Sequence, residues 1–220
     1  EYIEQQGQLF AKSEVDLFKA RFYGAQNKLE QALTLLENVN YTKANGKDSQ
    51  LYKAEVAFFR AQYSQAIQGY ENMLFNGQGS IEKSFYLMAG GKAVIHLAYA
   101  YQQLEQSAKA QETIQGYLDY LSQEQAMSTN NPYYYFNRAL ISSIEQKSEE
   151  VFYYLQAAID TGWVTTWQAE SEPMLAYLSD NGQFKQMLGG VKARLTNMKS
   201  RLNNEESFLL ADGDSFESFH

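Results

Sequence analysis

The apolar positions of the chain fall in blocks, and the blocks echo one another. In FKARFYGAQNKLEQALTLL (18–36) and YKAEVAFFRAQYSQAIQGY (52–70), a Lys-Ala pair is followed twelve residues later by a second alanine, with aromatic residues and leucines between. Leu, Ala, Gln, Glu and Lys fill these blocks without breakers, which predicts helices. Polar stretches punctuate them: NYTKANGKDS (40–49), FNGQGSIEKS (75–84) and SQEQAMSTNNPYYYF (122–136), the last opening a helix at Pro132.

The twelve-residue offset recurs four times, in Ala20/Ala32, Ala54/Ala66, Ala98/Ala110 and Ala139/Val151. From Ala32 to Ala66 is 34 residues, and the later steps are 44 and 41, so insertions separate units that keep their internal spacing. Small side chains at matched places let two antiparallel helices cross closely, while larger neighbours fill the grooves on either side. A single hairpin cannot bury its apolar face alone, so units of this kind stack. Turns are expected at Gly24–Asn27, Arg60–Gln62, Leu104–Gln106 and Gln146–Lys147.

These features resemble the tetratricopeptide repeat (TPR) family, whose period is 34 and whose pattern pairs L-G-x2-Y with A-x3-F. The third unit fits best, with Leu97-Ala98-x2-Tyr101 and Ala110-x3-Ile114, and the fourth least, while the family's opening Trp and closing Pro are missing throughout. The resemblance covers 13–162. It implies an all-α, right-handed α-solenoid of about four TPR-like helical hairpins (13–45, 47–80, 84–122 and 131–162), preceded at 1–12 by the end of another helix. Gly90-Gly91 marks a bend or a close contact. Segment 163–203 is expected to be a C-terminal cap, ending in an amphipathic helix over 184–203, and 204–220 an acidic tail.

The cap has its own likeness. Gly162-Trp163, Pro173, Leu175, Leu178 and Phe184 are similar to the end of bacterial TPR regions attached to winged-helix regulators of the CadC/ToxR type and to nucleotide-cyclase-linked proteins. Glu172 stands where that pattern has Asp, and Asn181-Gly182 replaces an Asp-Pro. Trp163 is read as a core anchor between the fourth unit and the cap; Trp167 suits core and surface equally.

Composition narrows the function. The 220 residues are 45% hydrophobic and 20% charged, enough for a sizeable core. A net charge of −8, without a concentrated basic cluster, argues against nucleic acid as the partner. No cysteine is present, which removes disulfides, thiolate nucleophiles and Cys-ligated metals. The longest apolar run, AVIHLAYAY (93–101), is far short of the roughly 20 residues that span a bilayer. The chain starts at Glu1, not Met, and is read as a piece of something larger. Compartment stays open: outside the inner membrane if the CadC/ToxR likeness holds, cytoplasm for a cyclase-type architecture.

Candidate chemistry is thin. His96 and His220 are the only histidines, and His96 reads as a packed or half-exposed imidazole rather than a metal ligand. DGD (212–214) lacks the full order of a calcium loop, and AGGKA (89–93) lacks the rest of a phosphate loop. No metal, cofactor or catalytic residue is assigned, and the chain is read as a non-enzyme. The TPR resemblance implies instead a groove lined by first-helix positions, here Leu17, Arg21, Leu51, Glu55, Phe58, Lys92, Ile95, Tyr99, Gln102, Tyr133, Phe136 and Leu140. Leu17 and Arg21 stand where the family's carboxylate clamp has Lys and Asn, so chaperone-tail capture is not expected. The expectation is a protein–protein interaction module, scaffold or sensory, of a larger bacterial regulatory protein, gripping a peptide or protein by apolar and aromatic anchors. The competing readings are that these positions only pack, or that the domain serves homo-oligomerisation, as a homodimer without a peptide ligand.

Overall fold

The computed structural model describes residues 16, 19, 20, 23, 28–38, 46–75, 81, 91–123 and 131–213, without the side chains of 38, 46–49, 123 and 203–213. Helices account for most of these: α1 Leu29–Asn38, α2 Gly46–Phe59, α3 Tyr63–Leu74, α4 Lys92–Gln103, α5 Ser107–Gln123, α6 Pro132–Ile144, α7 Ser148–Asp160 and α8 Thr166–Ser171. A 3₁₀ turn over Pro173–Leu178 follows, then α9, Gly182–Gly213. Among the described residues there is no strand, only one isolated antiparallel bridge between Phe75 and Ile81. No described helix is long and apolar enough to cross a membrane. The chain divides into a unit ending at Tyr177 and another beginning at Leu178.

Within the first unit, α2 packs on α3, α4 on α5 and α6 on α7, and α4 also touches α2, α3 and α6. One backbone device closes every hairpin. In the second unit of the repeat, the N–H of Gln62 donates to Ala57 O and that of Ala61 to Phe58 O. The same two bonds recur as Gln106 to Tyr101 and Glu105 to Gln102, then as Lys147 to Ser142 and Gln146 to Ser143. The second, third and fourth hairpins thus end their first helix in a Schellman motif, whose left-handed residue is Ala61 (φ 57°), Glu105 (φ 60°) or Gln146 (φ 61°). The carbonyl of the last turn residue then accepts from the small residue of the second helix: Gln62 from Ala66, Gln106 from Ala110, Lys147 from Val151. In the first repeat, Lys28 donates to Tyr23 O and accepts from Ala32, the same pair of bonds. The twelve-residue offset is therefore a backbone register: eight residues from the first small residue to the end of the turn, four more to the second.

All eight small residues are buried, from Ala20 and Ala32 to Ala139 and Val151. The tightest crossing adds a residue the alanine spacing did not single out. A Cβ placed on Gly69 would stand 2.8 Å from the Cβ of Ala54, so α2 and α3 meet at a contact without room for another methyl group. Gly91 is the other close approach. It caps α4 at φ 71°, and a Cβ there would lie 2.2 Å from the Tyr117 ring. Helix α4 is buried on nearly every side, including Ala93, Val94, Ile95, His96, Leu97, Ala98, Ala100 and Tyr101.

A further closure of the same kind ends α7, where Trp163 N–H donates to Ala158 O across Gly162 at φ 103°. That turn lays the Trp163 indole, 1% exposed, on the Phe136 ring, with centroids 4.8 Å apart and planes 17° apart. The Gly-Trp pair is thus a turn plus its core anchor. In the second unit, Asn181 Oδ1 accepts from Phe184 N–H at 3.0 Å and so caps the start of α9. Phe184, Leu188 and Val191 are buried on one stripe of that helix.

Candidate functional site

The expected groove is largely covered by the chain itself. Segment 163–177 reaches back across the first helices of the third and fourth hairpins at three points. Trp163 stacks on Phe136, Ser143 Oγ donates to Met174 O at 2.6 Å, and Glu172 enters a pocket beside Lys92 and His96. Of the expected groove residues, Phe58, Ile95, Phe136 and Leu140 are at most 2% exposed and face no partner. Their place on the first helices is as expected; their accessibility is not, because neighbouring helices and this returning segment enclose them. Leu51 and Glu55 are half-buried on α2, and Tyr133 is exposed. Leu17 and Arg21 lie outside the described residues.

The pocket that receives Glu172 is the most concentrated electrostatic feature of the first unit. Lys92 Nζ lies 2.7 Å from Glu172 Oε1, and His96 Nε2 lies 3.0 Å from Oε2. The other ring nitrogen, Nδ1, is 3.2 Å from the Tyr70 hydroxyl. An ionised carboxylate only accepts hydrogen bonds, so the Nε2–H of His96 donates to Glu172, while Nδ1 pairs with the Tyr70 hydroxyl. Phe58 stacks flat on the imidazole at 4.0 Å and 9°, and Phe59 meets it edge-on at 5.6 Å. Lys92 extends over the Phe59 ring, 5.5 Å from its centroid.

The carboxylate of Glu172 is fully buried, which by itself opposes ionisation. Lys92 and His96 together outweigh that cost and hold its pKa down at about 2. Burial likewise opposes the Lys92 charge, but Glu172 and the more distant Glu55 raise its pKa overall. Tyr70 is pushed well above the ordinary phenol range, first by burial and then by Glu55 and Glu172. A carboxylate–imidazole–hydroxyl chain has the ingredients of an acid–base relay. Here His96, Tyr70 and Glu172 are enclosed, so its hydroxyl end faces core rather than solvent. What the arrangement does is tie α3, α4 and the returning segment together through four side chains.

Tyr99 and Gln102 are half-buried. They line a cleft of about 450 Å³ with Gln103, Ser143, Ile144, Gln146, Ser148, Pro173, Met174 and Tyr177. No lining side chain carries a charge. Gln102 Nε2 donates to Ile144 O at 3.0 Å, which fixes that side chain between the third and fourth hairpins. On its other side a wider recess of about 970 Å³ runs along Ser107, Gln111 and Gln115 to the Gln146 turn. Tyr99 packs edge-on against Tyr63 at 6.0 Å; burial first, then that neighbour, raises its phenol to about 12.

Sequence reasoning passed over Tyr70 and Glu172 and gave His96 no partner. One signal was present: a histidine inside the apolar run 93–101 is a buried imidazole that needs hydrogen-bond partners. Its carboxylate partner lies 76 residues away, beyond the reach of any local pattern. No family model matches the chain, and no curated protein or solved structure matches it.

Proposed function

We propose that this chain is a non-catalytic protein–protein interaction module of the TPR type, a right-handed solenoid serving as the scaffold or sensory part of a larger bacterial regulatory protein. The recurrent small-residue spacing and the hairpin closure repeated in every unit support the TPR reading. The peptide site is the uncharged cleft at Tyr99, Gln102 and Tyr177, not the full line of first-helix positions. That cleft carries the proposal: aromatic walls, glutamine and serine side chains to meet a peptide backbone, and an apolar floor at Ile144 and Met174 suit an extended segment with one hydrophobic anchor.

A peptide array probed with the whole chain tests it. Ligands recovered should carry an uncharged apolar anchor, and Tyr177→Ala should weaken them at least about tenfold. Tyr177 is 54% exposed, so this substitution leaves the core intact. An array without ligands, or ligands indifferent to both Tyr177→Ala and Gln102→Ala, would overturn the proposal.

A further inference from the structure

Helix α9 carries a second surface, independent of that cleft. Its apolar residues Phe184, Leu188, Val191, Leu195, Met198 and Leu202 are spaced 4, 3, 4, 3 and 4 residues apart, the a/d seam of a coiled coil. The first three are buried, whereas Leu195 is 36%, Met198 54% and Leu202 59% exposed. Every side chain from Lys192 to Leu202 is exposed.

The flanks of the exposed part of the seam are basic, and the buried part adds Lys185, which pairs with Asp180 at 3.0 Å. With Leu188, Leu195 and Leu202 as a positions, Lys185, Lys192 and Lys199 fall at e, and Arg194 and Arg201 at g. Residues 181–202 contain those five cations and no acidic residue, in a chain whose net charge is −8. The basic cluster that bulk composition hides is therefore concentrated along one helix.

We infer that the exposed half of α9 docks an amphipathic helix of another protein, one with an apolar heptad seam and acidic residues at its e and g positions. Charge selects this occupant. Over the exposed residues 192–202, a second copy paired in parallel would set Arg194 against Lys199, and an antiparallel copy would set Arg against Arg and Lys against Lys; only Glu206, at the next e position, offers a second copy an opposite charge. An anionic membrane favours a broad apolar face, often with aromatic residues. Here the exposed apolar residues form a narrow three-residue stripe at a 3.5-residue spacing, the width of a helix–helix seam.

The test uses the full chain and two synthetic four-heptad peptides, identical with leucine at a and d, one bearing Glu at every e and g position and the other Lys. The Glu peptide should bind one to one and gain ellipticity, and the Lys peptide should not bind. Lys192→Glu, Arg194→Glu, Lys199→Glu and Arg201→Glu, combined, should reverse that preference, each peptide's affinity changing roughly tenfold to a hundredfold. Leu195→Ser with Met198→Ser should abolish binding while the chain keeps its helix content, because both side chains are exposed. Equal binding of both peptides, or of neither, would overturn the inference. So would a homodimer in sedimentation that the serine variants dissociate. Tighter binding to phosphatidylserine vesicles or to a duplex oligonucleotide than to the Glu peptide would likewise assign the surface to another class of partner.

Discussion

Replacing Glu172 by Gln removes the charge at the centre of the buried network and keeps the shape. The carboxyl pKa lies at about 2 in the folded chain against an ordinary 4.5, so the ionised form is favoured on folding by roughly 3 kcal/mol, at about 1.4 kcal/mol per unit. The carboxylate is fully buried, so solvent screening does not reduce that figure. The variant should therefore lose about 3 kcal/mol at pH 7, in line with the cost of breaking a buried ion pair. The sign fixes the pH window. A depressed carboxyl pKa contributes stability that is complete above about 4.5 and disappears as pH falls through about 2. Wild-type and variant curves should then converge between those values, whatever the other carboxylates do to both. Lys92, with its pKa raised, gives the opposite arm: its contribution is complete below 10.5 and is lost as pH climbs through the raised value. Urea denaturation followed by far-ultraviolet ellipticity from pH 2.5 to 7 measures the difference. A gap below about 1 kcal/mol at pH 7, or one that does not change across the acid range, would refute the reasoning.

Three further perturbations follow from the hairpins. Glycine at any of the left-handed turn residues, Ala61, Glu105 or Gln146, relieves their positive φ and should raise stability by about 0.5–1 kcal/mol in denaturant titration. Gly91→Ala should cost at least about 2 kcal/mol in the same titration, because the added methyl meets the Tyr117 ring in a left-handed backbone position. Phe136→Ala removes the ring stacked on Trp163; it should cost about 3–5 kcal/mol and shift the indole emission to the red as water reaches it.

The helical architecture was legible because its cause is local. Ala54, Ala98 and Ala139 stand at the same place in their hairpins, and the offset to Ala66, Ala110 and Val151 registers a turn whose hydrogen bonds are set within a dozen residues. Gly69 carries no alanine signal, because its crossing with Ala54 requires the absence of any side chain. Phe58, Ile95, Phe136 and Leu140 lie on first helices but are buried. Whether Phe136 or Leu140 meets a partner depends on where segment 163–177 returns, and that is decided by contacts such as Glu172 with Lys92, 80 residues apart in sequence. Net charge misled in the same way: a sum over 220 residues conceals five cations on one helix, which appear only when 181–202 is wound at 3.5 residues per turn.

Leucine substitution at the helix crossings tests the central claim most directly. Ala54→Leu, Ala98→Leu and Ala139→Leu each force three extra carbons into a buried crossing, with Ala108→Leu on an exposed face as control. Urea titration should show losses of about 1–3 kcal/mol or more at the three crossings and a change within about 0.5 kcal/mol at Ala108. Crossing variants as stable as the control would contradict hairpins held close by small side chains.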